Sequence, residues 1–184
     1  MLDSEAKLRA DAKANRDRIL DVAREALAAD PAASLNMIAK TAGVGAGTLY
    51  RHFPTREALL VGVYRKEIDA QVALAPVLLK EHPPLAALRL WCDRFIQFGE
   101  AKYGIAETFH AAISDQDLQE VYKTLASAIG KLINACEQAG TIQPGTRAED
   151  VLTLLGLLLR VPSKFGGRER ARRILDIMFR GLSA

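Results

Sequence analysis

Residues 34–53 read SLNMIAKTAGVGAGTLYRHF. Two short stretches with helical spacing of apolar residues flank a glycine-rich reversal. Ser34 is a good N-cap, because its hydroxyl can accept from an amide of the first turn. Leu35, Ile38, Ala39 and Ala42 follow at helical spacing. Gly43 permits the positive φ that the reversal needs, and Gly43-Val44-Gly45 stops the first helix within a few residues. The second helix carries Leu49 and Phe53 on one face and is closed by Pro54. Ala39 is small where the two helices cross, and Ile38, Val44 and Leu49 supply the contacts that fix their angle. The layout is a helix-turn-helix. With those faces buried, Asn36, Ala46, Gly47, Thr48, Tyr50, Arg51 and His52 are left outside.

That outward set suits duplex DNA. The N-terminus of the second of these helices can enter a major groove, while hydroxyls, the imidazole and backbone amides meet phosphates. A helix N-terminus adds its own preference for anions. Arg56, just beyond, can reach a phosphate on the same strand. Charge agrees: between residues 34 and 66, Lys40, Arg51, Arg56, Arg65 and Lys66 stand against Glu57 alone. Residues 67–145 are acidic overall and 146–184 basic. A segment of one sign fits a polyanionic partner, although a solvated helix face would look the same on charge alone.

Outward from this stretch almost everything reads as helix. Upstream, Ile19, Val22, Ala23, Ala26 and Leu27 form an amphipathic stripe starting near Asn15, ended by Asp30-Pro31. Downstream, Thr55 can cap a fourth helix in which Leu60, Tyr64, Ile68 and Val72 repeat every four residues. Pro76 and Pro83-Pro84 bound a linker, followed by helical patterns over Leu85–Lys102. A break at Gly104 precedes a short apolar segment, Ile105–Ile113. Helices are expected over Gln116–Ala139, Ala148–Val161 and Arg168–Gly181, separated by Gly140, Gln143-Pro144-Gly145, Pro162 and Gly166-Gly167. No stretch alternates apolar and polar residues. The expected fold is all-α: a three-helix DNA-binding domain over 1–66, then a helical effector-binding and dimerisation domain over 67–184.

The chain has 184 residues, 49% of them apolar and 26% charged, the balance of a globular protein with material for a core. Cys92 and Cys136 are too few for a disulfide framework and fit buried small hydrophobes in a reducing cytosol. The first eighteen residues, ending Arg16-Asp17-Arg18, are too charged for a secretory signal. No apolar run reaches the roughly 18–20 residues of a membrane span. A cytoplasmic protein is expected.

Rival chemistry finds little to build on. Gly43-Val44-Gly45-Ala46-Gly47-Thr48 looks like a phosphate-binding glycine loop, but that motif follows a strand and ends in Lys-Ser/Thr. His52 has no Ser, Cys or carboxylate placed beside it by the pattern. His82 and His110 are isolated, and the cysteine spacing is not that of a zinc site. Neither an enzyme nor a cofactor or metal site is expected. The alternative to DNA binding is a helical protein-interaction module.

A single short recognition helix gives little affinity, so doubling by two-fold symmetry is expected. The best dimerisation segments are the last two helices. The run from Val151 to Leu159 is apolar nearly all round, and Ile174, Leu175, Met178 and Leu182 add a stripe. Leu155, Leu158, Leu159, Ile174 and Met178 are the candidate interface residues, and surplus apolar area usually marks such a surface.

Three stretches carry a family resemblance: Ile19-Leu20-Asp21-Val22-Ala23, Ile38-Ala39-Lys40-Thr41-Ala42-Gly43-Val44, and Thr48-Leu49-Tyr50-Arg51-His52-Phe53-Pro54-Thr55-Arg56-Glu57-Ala58-Leu59-Leu60. With them the chain resembles the TetR family of bacterial transcriptional regulators over its first third. The resemblance implies that Thr48, Tyr50 and His52 hold phosphates, with Arg56 in place of a lysine of that role. Ser34 matches a residue that caps the second helix and touches the DNA backbone. Asn36, Ala46, Gly47 and Arg51 sit where the family reads bases. Ala46 and Gly47 depart from the larger polar residues of many members: alanine can contact a thymine methyl, but neither makes a bidentate hydrogen bond. The resemblance also implies an intermolecular four-helix bundle in the last two helices and an effector pocket among the middle ones. Trp91, Phe95, Phe98, Tyr103, Phe109 and Tyr122 are the candidates to line that pocket, with Cys92, Thr108 and His110 as polar groups. The implied function is a ligand-responsive regulator. Family habit favours a repressor that binds a palindromic operator as a homodimer and is released by a small molecule.

Overall fold

A computed structural model describes residues 2–100, 113–159 and 167–184. Within them the chain forms α1 (Leu2–Ala29), α2 (Leu35–Thr41), α3 (Ala46–His52), α4 (Arg56–Glu81), α5 (Pro84–Glu100), α6 (Asp115–Gln138), α7 (Ala148–Leu158) and α8 (Gly167–Leu182). Sheet structure among the described residues amounts to one isolated antiparallel bridge, Ile142 to Ser183. The fold is all-α.

Two compact units divide after Lys66, within α4. In the first, Ile19, Leu20, Ala23 and Leu27 of α1 pack with Ile38 and Ala39 of α2, Leu49 of α3, Phe53, and Leu59, Leu60 and Val63 of α4. Ala39 is 2% exposed, as the crossing of α2 with its neighbours requires of a small residue. Gly43 has φ +66°, the left-handed conformation that lets the chain reverse between α2 and α3. Behind the reversal, the Val44 amide donates to the Ala39 carbonyl at 3.0 Å.

α4 lies close over the end of α3. A Cβ on Gly62 would stand 2.8 Å from Phe53 Cε1 and 3.0 Å from Leu20 Cδ2, inside normal contact. Only a residue without a side chain fits there. At Lys66, Nζ donates to Asp21 Oδ1 at 2.7 Å and to the Asp17 carbonyl at 3.1 Å, holding α4 to α1.

In the second unit, α5 packs on α6, α7 and α8. Trp91, Ile96, Ile129, Leu132 and Ile133 are its largest fully buried side chains. Gln71 is 4% exposed. Its Nε2 donates to the Trp91 backbone carbonyl and its backbone carbonyl accepts from Trp91 Nε1, both at 2.9 Å, so the buried amide and indole N–H donors are both paired.

Two boundaries differ from the sequence expectation. α1 begins at Leu2 rather than near Asn15. The apolar stripe starts where packing starts, but the preceding Glu, Ala, Lys, Leu and Arg residues are good helix formers and continue it outward. Pro76 lies inside α4 rather than bounding a linker. Its ring is exposed while Ala75 and Leu78 beside it are buried, and that packing offsets the roughly 3 kcal/mol that an interior proline costs. Pro84 does open a helix, as suits a residue whose missing N–H has no helical partner at that position. α7 is described only to Leu158, with Leu159 as its cap. The break at Gly104, most of the Ile105–Ile113 segment, Val161, Pro162 and Gly166 lie outside the described residues.

Gly62→Ala is expected to destabilise the protein by about 1–2 kcal/mol net. The clash with a buried ring outweighs the gain of about 1 kcal/mol from replacing glycine in a helix. Gly47, in α3, has nothing within 4 Å of such a Cβ. Gly47→Ala is therefore expected to be neutral or stabilising, and urea denaturation of the two variants checks the opposite signs.

Candidate nucleic-acid interface

Ser34 stands at the N-cap of α2, and its Oγ accepts from the Met37 amide at 3.2 Å. The turn before it is built locally. The Ala32 amide donates to Asp30 Oδ1 at 2.8 Å and the Ala33 amide to the Asp30 carbonyl at 3.0 Å. Asn36 is exposed in the first turn of the helix, beside exposed Met37 and Lys40.

Gly45 caps α3 without a side chain, and Ala46 and Gly47 are both exposed. The first turn of α3 therefore presents bare backbone and one methyl group. Tyr50 is 45% exposed. Arg51 is exposed and lies along the helix, its Nε donating to the Gly47 carbonyl at 3.2 Å. Thr48 and His52 are half-buried. The His52 ring sits 6.3 Å from that of Phe53, centroid to centroid, and the Arg16 guanidinium lies 5.4 Å above the same Phe53 ring. Asn36, Ala46, Gly47, Thr48, Tyr50, Arg51 and His52 thus share the two helices of the motif and keep at least partial access to solvent.

Arg56 differs from the expectation. Its Nη1 donates to the Ala33 carbonyl at 2.6 Å and its Nη2 to the Pro31 carbonyl, so in the free protein its fork is occupied by its own chain. At the same helix start the Thr55 hydroxyl accepts from the Ala58 amide at 3.1 Å. A backbone hydrogen bond, the Thr55 hydroxyl and the Arg56 charge hold the Glu57 carboxyl below the usual carboxylate range.

The remaining expected residues divide. Trp91 is fully buried and Phe95 nearly so, the two rings stacked at 5.6 Å, which makes them core of the second unit. Burial pushes the Cys92 and Cys136 thiols up, as befits small buried hydrophobes. Tyr122 is 39% exposed and its hydroxyl donates to the Glu149 carbonyl at 2.9 Å, bridging α6 to α7 at the surface. The Phe98 side chain, Tyr103, Thr108, Phe109 and His110 lie outside the described residues.

Leu155 and Leu158 are also corrected, since both are buried in the core of their own chain. Helical phase explains the error: they share a face with Val151 and Leu152, whereas Leu154 and Leu157 point away and are 46% and 57% exposed. On α8, Ile174 and Ile177 are exposed, at 36% and 59%, while Met178 is half-buried, as is Leu159 at the end of α7. Leu154, Leu157 and Ile177 were legible in principle from the same periodicity.

Residues 19–63 match the family model of bacterial regulatory proteins of the tetR family. Residues 83–184 match that of the C-terminal domain of SbtR-like transcriptional regulators. The chain belongs to the TetR family. A TetR transcriptional regulator from Streptomyces coelicolor shares its fold with a TM-score of 0.77 at 38% identity, over 91% of this chain and 98% of that one. For a TetR regulatory protein from Mycobacterium vanbaalenii the TM-score is 0.76 at 30% identity, over 96% and 99%. A helix-turn-helix-type transcriptional regulator from Staphylococcus aureus (strain USA300) is 41% identical over 64 residues, 34% of this chain and 35% of the relative. The chain thus matches about a third of the length of that relative. As a TetR-family member it is a DNA-binding transcriptional regulator and not an enzyme. No described helix is long and apolar enough to cross a membrane.

Ser34→Ala removes the only side-chain acceptor at the start of α2. It is expected to cost about 0.5–2 kcal/mol of stability, measurable as a lowered urea midpoint at unchanged m.

Proposed function

We propose that this TetR-family regulator binds a palindromic operator as a homodimer, represses transcription there, and is released by a small-molecule effector. The observation that carries the DNA-binding part is the first turn of α3. Gly45, Ala46 and Gly47 leave it bare, with Tyr50 exposed one turn on. A helix so stripped approaches base edges closely, while Thr48, Tyr50 and His52 reach phosphates on either side. Asn36 is the residue suited to pair with adenine, and Arg51 to reach guanine once it leaves the Gly47 carbonyl.

Pairing of two copies through Leu154 and Leu157 of α7 and Ile174 and Ile177 of α8 accounts for four exposed aliphatic side chains on two neighbouring helices. Two-fold symmetry then sets the half-sites about one helical turn, or a multiple of it, apart. The effector is assigned to the second unit, where its binding biases the later part of α4. That requires different affinity for the operator-bound and free arrangements, and a coupling of about 1–3 kcal/mol suffices.

Tyr50→Ala is expected to weaken binding to every duplex by a similar factor and to reduce the slope of log K against log salt by up to about one. Asn36→Ala is expected to relax preference at one base pair, worth about 1–3 kcal/mol for a bidentate contact. Gel shifts over a salt series, with duplexes that the wild-type protein enriches from a random-sequence pool, read both. Binding with no salt dependence, or none at all, would favour a protein-interaction module instead.

A further inference from the structure

We propose that Arg56 serves operator recognition as a positioning residue: its guanidinium fork holds the segment that presents Ser34 and Asn36, and it is not a phosphate ligand. The proposal rests on the DNA-binding reading above.

The turn between α1 and α2 satisfies its own amides: those of Ala32 and Ala33 bond to Asp30. The carbonyls of Pro31 and Ala33 take the two Nη groups of Arg56, twenty-five and twenty-three residues away in the chain. Ala33 is 3% exposed, so its carbonyl is fixed at the edge of the core. The next residue is the Ser34 cap, and Asn36 follows two positions later. A rigid planar fork thus joins the start of α4 to the start of α2. The Nη1/Nη2 edge is the one that takes a phosphate bidentately, and here it is already engaged.

Charge points the same way. A cation at the first position of a helix is disfavoured by the macrodipole, so its presence needs local acceptors. The two carbonyls supply them. Lysine keeps the charge but not the two-point fork, because one ammonium nitrogen would have to meet both carbonyls where arginine places a separate Nη on each. Charge and geometry are therefore separable by substitution.

The test compares Arg56→Lys and Arg56→Ala with wild-type protein, full chain, on the enriched duplexes over a salt series, together with amide hydrogen exchange of the free protein. Positioning predicts that both variants lose affinity by the same factor, about tenfold, with the salt slope of wild type. It also predicts faster exchange in the first turn of α2, over residues 36–38, in both variants, with that of α5 unchanged. Retention of affinity by the lysine variant, with a slope about one lower in the alanine variant, would make Arg56 a phosphate ligand and overturn the proposal. Loss of affinity with unaltered exchange in α2 would overturn it too, since the effect would not pass through the loop. Absence of duplex binding by wild type marks failure of the underlying DNA-binding reading, and is told apart from the other outcomes by that control.

Discussion

Everything in the first unit leans on the ring of Phe53. It ends the recognition helix, sits 2% exposed in the core, receives the Arg16 guanidinium on one side and lies where α4 can touch it only through a glycine. Close-packed interiors do not yield to an added methyl group at 2.8 Å. Together with Leu49 this contact seats α3 against α1 and α4, and the exposed side of α3 inherits that orientation. In the proposed recognition mode, the small residues Ala46 and Gly47 serve groove entry only because the opposite face is firmly seated.

α4 carries the other constraint. Its first turn is tied to the α1–α2 segment by Arg56, and its second meets Phe53 and Leu20 at Gly62. Lys66 then bonds to Asp17 and Asp21. Five residues beyond Lys66, Gln71 of the same helix is locked to Trp91 by two reciprocal hydrogen bonds. Breaking the buried pair would leave an amide or an indole N–H unsatisfied, a cost of about 1–3 kcal/mol.

The helix-turn-helix was fully legible because each of its signals is local: Ser34 as a cap, Gly43 as a left-handed residue, Leu49 and Phe53 on one face. The start of α1 was not, because an exposed helix carries no apolar stripe to announce it. Pro76 misled for the converse reason, since tertiary packing of Ala75 and Leu78 overrode a strong local breaker. Among site residues, helical phase alone separated Leu154 and Leu157 from Leu155 and Leu158, but an almost wholly apolar run hides its phase. The engagement of Arg56 could not be read at all. It depends on two carbonyls more than twenty residues upstream, and any residue supplies a carbonyl, so no side-chain pattern marks them.

Guanine N7 lies in the major groove, so its protection from dimethyl sulfate reports groove occupancy directly. On enriched duplexes containing guanines in both half-sites, bound protein should protect N7 in two patches. Their centres should lie about 34–36 Å apart, or a whole multiple of that. Tight binding with N7 left fully reactive, or with a single protected patch, would contradict insertion of two symmetry-related α3 helices.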